Sequence, residues 1–193
     1  MAETPRPPGR ARRLIAVLGP EGRVKERVES PWTFFGPLSA GARGGGGTGA
    51  EGSRAAQGAR RARHLYSVGN ATAGLFAGDA LELRIRVLPG ASVAVTTPAA
   101  SYAFTMPEGE ASVRTRIEVE AGADLDYAPL PLIPFAGSAL TQLTEVFLAE
   151  GAGLRLLDTL VLGRIDYGEA GRFRLLHAST SLFCGGRLVL RDA

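Results

Sequence analysis

From His64 onward the chain is cut by glycine and proline into runs that alternate apolar and polar residues, and helical periodicity is nearly absent. Leu81, Leu83, Ile85 and Val87 alternate with Glu82, Arg84 and Arg86, which gives a strand one apolar and one charged face. Ala111 to Glu120 repeats the pattern, with Val113, Thr115, Ile117 and Val119 inward and Arg114, Arg116 and Glu118 outward. Shorter strands are expected at Ser92–Thr97, Tyr102–Met106 and Leu125–Tyr127. Pro129, Pro131 and Pro134 impose an irregular passage that no central strand tolerates. Ala139 to Ala149 is long enough for a strand or a helix, and its Thr and Val content and the Gly151-Ala152-Gly153 that ends it favour the strand. Leu154 to Leu162 is apolar on both faces from Leu160 on, which predicts burial. After a turn region at Gly163–Gly171, strands at Arg172–Leu182 and Arg187–Leu190 close around Gly185-Gly186. Such a pattern leads to a sandwich, a barrel or a β-solenoid. No fixed repeat period is visible, so a regular solenoid is not expected.

The front of the chain is different. Residues 1–12 are Pro- and Arg-rich and are expected to be a disordered tail. Arg13–Leu18 and Arg23–Val28 form a hairpin around Gly19-Pro20-Glu21-Gly22. Ser30–Leu38 reads as an edge segment that docks its aromatic residues on the core. Residues 39–63 are a Gly/Arg-rich flexible loop, with a basic helical turn expected at Gln57–Arg63. Its glycine run, Gly44 to Gly47, lacks the Lys that a phosphate loop needs. Residues 13–193 are long enough for one domain with a real core. No apolar run is long enough to cross a bilayer, and Leu14–Leu18 is too short for a signal peptide, so a cytoplasmic location is expected.

Charge is unevenly spread: 12 Lys/Arg against 5 Asp/Glu in residues 1–63, but 10 against 14 afterwards. That skew allows a nucleic-acid-binding module built on Arg54, Arg60, Arg61 and Arg63. The aromatic-basic interleaving of single-strand binders is missing, which weighs against it.

Residues able to do chemistry are sparse. His64 and His177 have no partner at metal-ligand spacing, and the single cysteine, Cys184, excludes an internal disulfide and a thiolate cluster. Cys184 is expected to be a small buried filler and His177 a core or rim residue. The carboxylates Asp79, Asp124, Asp126, Asp158, Asp166 and Glu169 leave a carboxylate-pair hydrolase as an alternative. An ion pair is expected between Arg164 and Glu169.

The order of the motifs narrows the choice. An N-terminal strand pair leads to a Pro-Leu step within Val28–Leu38. An aromatic strand, Leu65-Tyr66, leads to Ala73-Gly74-Leu75-Phe76-Ala77-Gly78-Asp79. Then come Thr96-Thr97-Pro98, Gly122-Ala123-Asp124-Leu125-Asp126-Tyr127-Ala128-Pro129 with Ile133-Pro134-Phe135, and Gly163-Arg164 with Gly168-Glu169. In this order the chain resembles the urease accessory protein UreD (UreH) family over about residues 13–192, as a short form. Ala73, Pro98, Asp126 and Leu130 depart from the family pattern, and longer members continue beyond the position of Ala193.

The resemblance implies a non-enzymatic assembly factor. It binds UreF, which recruits the GTPase UreG, and docks on apo-urease, with a dimer expected within the accessory complex. Ni²⁺ passes through in transit, and no cofactor is tightly bound and no closed metal site is formed. Neither nucleic acid nor membrane is a partner. Asp79, Asp126 and Glu169 are the residues expected to line or gate the nickel path or to face a partner. Gly74, Gly78, Thr96, Thr97, Gly163, Arg164 and Gly168 are expected to hold the motifs in shape. Strand pattern and resemblance together predict an all-β fold: an irregular β-helix-like stack of short, mostly antiparallel strands with few helices.

Overall fold

The structure, a computed structural model, describes residues 11–39 and 63–193. The expected tail up to Arg10, the loop at 40–62 and the arginines Arg54, Arg60 and Arg61 lie outside the described residues. Fourteen strands run in chain order. They are β1 (Arg12–Gly19), β2 (Gly22–Val28), β3 (Trp32–Ser39), β4 (Arg63–Asn70), β5 (Ala80–Val87), β6 (Ser92–Thr96) and β7 (Ser101–Ala103). After these come β8 (Ala111–Val119), β9 (Asp124–Ala128), β10 (Leu132–Pro134), β11 (Ala139–Leu148), β12 (Gly153–Leu156), β13 (Leu175–Cys184) and β14 (Arg187–Asp192). One 3-10 turn, Ile165–Tyr167, is the sole helical element among the described residues, and no helix there is long and apolar enough to cross a membrane.

The chain winds through three faces. Face A is a seven-stranded sheet in the order β14-β13-β11-β8-β5-β1-β2, and face B is a five-stranded sheet, β12-β9-β6-β4-β3. Face C is the β10-β7 pair, extended by single bridges from Leu75 to Ala103 and from Leu132 to Leu160. Starting at β4, the chain visits B, C and A in turn, four times over. This is a β-solenoid of four coils.

Within the stack every ladder is parallel: β5, β8, β11 and β13 on face A, and β4, β6, β9 and β12 on face B. The expectation of mostly antiparallel strands is therefore corrected. Short Gly/Pro turns suggest hairpins, but here they bend the chain around a corner onto the next face instead of back along the same one. Antiparallel pairs are confined to the ends, where β2 pairs β1, β3 pairs β4 and β14 pairs β13. Stack partners are 29 to 36 residues apart: Arg63, Ser92, Asp124 and Gly153 on face B, and Ser112, Thr141 and His177 on face A. Corners of unequal length explain why no period shows in the sequence.

Parallel register stacks like on like. Ile85, Ile117, Val146 and Leu182 form one column, and Val87, Val119 and Leu148 another. The main core lies between faces A and B and includes Leu14, Leu18, Ile85, Val93, Ile117 and Leu125. A second cluster, with Leu75, Leu81, Met106, Leu132 and Leu140, lies toward face C. At the N-terminal end β1 joins face A parallel to β5, and β2 caps the sheet with Arg23, Lys25 and Arg27 exposed. As expected, β3 is an edge strand, and its Phe34 stacks on Tyr66 with ring centroids 5.3 Å apart.

Several boundaries move. Arg12 and Arg63 open strands and so belong neither to a tail nor to a helical turn. The Pro129–Pro134 passage contains β10, a three-residue strand on the small face C sheet. The run from Leu154 to Leu162, expected to be buried, is a strand only to Leu156, and Leu157, Leu160, Val161 and Leu162 are 41–56% exposed. It belongs to the fourth coil, whose β12 is the edge of its sheet, and no further strand covers it among the described residues. Cys184, expected to be a buried filler, is exposed, at the end of β13 beside the turn into β14.

Ile117 is fully buried in the middle of its column. Ile117→Ala should lower unfolding free energy by about 2–5 kcal/mol, the usual cost of a core cavity. Urea denaturation followed by circular dichroism measures it, and a change below about 1 kcal/mol would contradict this packing.

Candidate functional site

The three carboxylates picked out from sequence fall in separate places. Asp79 ends the turn before β5. Its carboxylate accepts a hydrogen bond from the Phe76 amide at 2.9 Å, and its backbone oxygen accepts one from Ser112 at 2.8 Å. Asp126 lies on β9, where Arg155 grips it with two hydrogen bonds of 2.9 and 2.7 Å and Arg63 adds a further ion pair. Glu169 follows the 3-10 turn and pairs with Arg164 at 3.4 Å, as expected. Asp79 and Glu169 both precede face A strands, but in the first and last coils of the stack.

The motif residues set the corners. A Cβ on Gly74 would sit 2.5 Å from the Tyr102 carbonyl oxygen of the next coil, so no side chain fits there. Gly163 is less tight: a Cβ there would sit 3.0 Å from the Ile133 side chain and 3.2 Å from Phe135. Thr96 donates to the Ala128 carbonyl at 2.9 Å, tying β6 to β9. Thr97 accepts from the Leu130 amide at 2.9 Å and donates to the Ala99 carbonyl at 2.9 Å, tying two corner loops together. Arg164, at φ 46°, lies 4.5 Å from the Tyr167 ring centroid and 5.9 Å from that of Phe135. Gly78 and Gly168 occupy left-handed turn positions.

Between the two core clusters lies a cavity of about 220 Å³. Every coil contributes to its wall. The first gives Val68, Asn70, Leu75, Leu81 and Leu83, the second Thr97, Tyr102, Val113 and Thr115, the third Tyr127, Leu132, Gln142 and Thr144, and the fourth Leu156, Asp158 and Thr180. The cavity thus runs lengthwise through the stack, spanning about 14 Å at 4.8 Å per coil. None of Asp79, Asp126 and Glu169 lines it.

Its polarity comes from one register. Leu83, Thr115, Thr144 and Thr180 form a column on face A, and Leu81, Val113 and Gln142 form the column beside it. Thr115 and Thr144 are 6% exposed. Tyr127 turns its phenol inward. Burial drives its pKa up to about 12, an effect that the hydrogen bond with Thr115 opposes and the charge of Asp158 reinforces. Asp158 closes the polar end, where the Gln142 amide donates to it at 3.4 Å. Burial raises its pKa, the Thr159 amide and Gln142 pull it down, and nearby Asp192 pushes it up. Sequence reading included Asp158 among the turn carboxylates but gave no reason to prefer it. The signal was the Thr and Gln at apolar positions of strands, visible once register is known.

Other reactive residues stay apart. Among the described residues no three or more His, Cys, Asp or Glu side chains gather into a metal-holding group. His64 is buried and donates through Nε2 to the Pro20 carbonyl at 2.9 Å, and His177 is exposed on β13.

A family profile described as UreD urease accessory protein matches residues 52–193. The chain is similar to a urease accessory protein UreD of Opitutus terrae, 43% identical over 128 residues, which are 66% of this chain and 47% of that protein. It is 41% identical to a urease accessory protein UreD 2 of Streptomyces griseus, over 54% of this chain and 36% of that protein. A urease accessory protein UreD of Cereibacter sphaeroides is 38% identical, over 63% of this chain and 44% of its own length. The chain therefore spans less than half the length of these relatives.

The raised pKa of Tyr127 has a signed consequence. The unfolded phenol, at 10.0, loses its proton before the folded one, at about 12, so stability should fall as pH rises across that window. The loss attributable to Tyr127 should reach roughly 2–3 kcal/mol at its upper end. Urea midpoints measured from about pH 9 upward test it: Tyr127→Phe should flatten the decline, and an unchanged slope would contradict an inward phenol.

Proposed function

The chain belongs to the UreD urease accessory protein family, and from that membership we propose that it is a urease maturation factor that conducts Ni²⁺ through the solenoid interior. It docks on apo-urease with UreF and, through UreF, with the GTPase UreG, and it turns over no substrate itself. The lengthwise cavity carries this proposal. Its C-terminal part offers the hydroxyls of Thr115, Thr144 and Thr180, the amide of Gln142 and the carboxylate of Asp158. Hard oxygen donors of this kind hold Ni²⁺ more weakly than imidazole or thiolate, which suits passage and release.

The residues divide by task. Asp158 attracts the cation at the polar end, and the threonines and Gln142 replace part of its hydration shell along the way. Asp79, Asp126 and Glu169 hold the corners and the outer wall that keep the path open. Asp79 does so through the turn before β5, Asp126 through Arg63 and Arg155, and Glu169 through Arg164. The same corner geometry makes Gly74 intolerant of a side chain and leaves Gly163 little room for one.

Activation of apo-urease by Ni²⁺, UreG, GTP and UreF with this chain tests the proposal. Thr144→Met fills the cavity midway and should slow activation about tenfold, as would a barrier raised by about 1.4 kcal/mol. Asp158→Asn should also slow activation while leaving UreF pull-down intact. A carboxyl whose pKa is raised in the fold loses stability as pH climbs through its titration, so Asp158→Asn should be no less stable at neutral pH. Full activation by Thr144→Met would remove the cavity from the route.

A further inference from the structure

The cavity wall changes character along its length. In register on face A, the first coil presents Leu81 and Leu83, the second Val113 and Thr115, and the third Gln142 and Thr144. Val68 and Leu75 complete the first coil's apolar wall, with Trp32 of β3 beside them and Asn70, Thr72 and Ala73 at its outer rim.

The polar groups at that end are already satisfied. The Trp32 indole N–H donates to the Arg12 carbonyl at 2.9 Å. Asn70 Oδ1 accepts from the amide of Thr72 at 2.9 Å and from its hydroxyl at 2.8 Å. The Thr72 hydroxyl also lies 2.7 Å from the Gly74 carbonyl, to which the Asn70 amide donates at 3.5 Å. The backbone of β5 is paired on both sides, with β1 and with β8. A water molecule there would find few partners, and cavities lined in this way stay dry.

The other end is the reverse. Thr144 is buried on a central strand with its hydroxyl on the cavity wall, and Thr180, Gln142 and Asp158 follow it. The buried Thr115 and Thr144 and the half-buried Gln142 and Thr180 bring polar side chains to this space, the Asp158 carboxylate at its end is exposed to solvent, and water fills a space of that kind.

We propose that the cavity is two segments in series: a wet one from Thr115 to Thr180, and a dry apolar one at Leu81, Leu83 and Val113 that acts as a gate against hydrated ions. This rests on the reading of the cavity as the ion route. An ion entering the dry segment would shed water with nothing to replace it, and apolar constrictions close pores in this way without a steric plug. The gate would keep free Ni²⁺ from leaking through while leaving the polar segment loaded.

Xenon under pressure is the probe for the dry segment, because it occupies apolar voids and leaves hydrated ones empty. With the full chain, one xenon site is expected beside Leu83, seen by NMR shifts of the Leu81, Leu83 and Val113 methyls, and none beside Thr144. Val113→Thr, nearly isosteric, should abolish xenon binding and speed nickel-dependent activation of apo-urease several-fold. Leu83→Thr should do the same, and UreF pull-down shows that each variant is folded. Absence of xenon, xenon beside Thr144, or loss of xenon in both variants with no gain in rate would overturn the gate. Thr144→Met separates the two claims: unimpaired activation in that variant rejects the route, whereas xenon beside Leu83 stands or falls independently of nickel.

Discussion

In-register parallel hydrogen bonding between coils is the constraint on which everything else in this molecule depends. Each inner strand of faces A and B is bonded to the strands on both sides of it, so within the stack a side chain stands over its counterpart one coil away, about 4.8 Å distant. Inside, this produces apolar columns such as Ile85, Ile117 and Val146. Outside, it brings Arg155 directly beside Asp126 and places the Arg116 guanidinium 4.1 Å from the centroid of Phe147, whose ring stacks on Phe183. The charged outer rungs are exposed pairs worth little individually. Glu82 is the better-held case: burial alone would raise its pKa, but hydrogen bonds from Arg13 and Arg84 outweigh that and hold it low.

The same register explains how the fold can hold a cavity without collapsing. A Thr placed over a Thr on strands paired on both sides cannot shift sideways without breaking a ladder. The volume missing at Thr115 and Thr144, relative to the Leu83 that begins their column, is thus kept open by backbone bonding. Corners supply the rest of the wall. They are pinned by side chain–backbone bonds from Thr72, Thr96 and Thr97 and by glycines at which the next coil comes too close for a Cβ.

Strand positions were legible because alternation is local: the β5 and β8 patterns can be read without knowing the neighbours. The edge strand at Trp32 and the Arg164–Glu169 pair were legible for the same reason. Strand direction was not, because a short Gly turn serves a hairpin and a solenoid corner equally well. Burial at Leu160–Leu162 was misread because apolarity on both faces marks a buried strand only when a layer lies over it. The motif carboxylates were visible by their place beside glycines, but that place is what commits Asp79 to the Phe76 amide. Asp158 carried no such mark. What singles it out is its bond from Gln142 and the alignment of Thr144 with Thr180 on the same wall, which no linear spacing reveals.

A wall built by stacking can alter its chemistry only once per coil, and that limit shapes the interior. The change from Leu to Thr between the first and second coils takes place over one strand spacing, with no intermediate residue to soften it. The neighbouring column keeps Val113 for one more coil before Gln142 appears. The two columns therefore turn polar one step apart, and the second coil is the boundary, carrying one apolar and one hydroxyl side chain toward the cavity. Tyr127 bridges that boundary from the third coil, its phenol bonded to Thr115. Sharp polarity change is thus a consequence of how the coils are bonded, and the position of that change is set by the identity of two residues on β8.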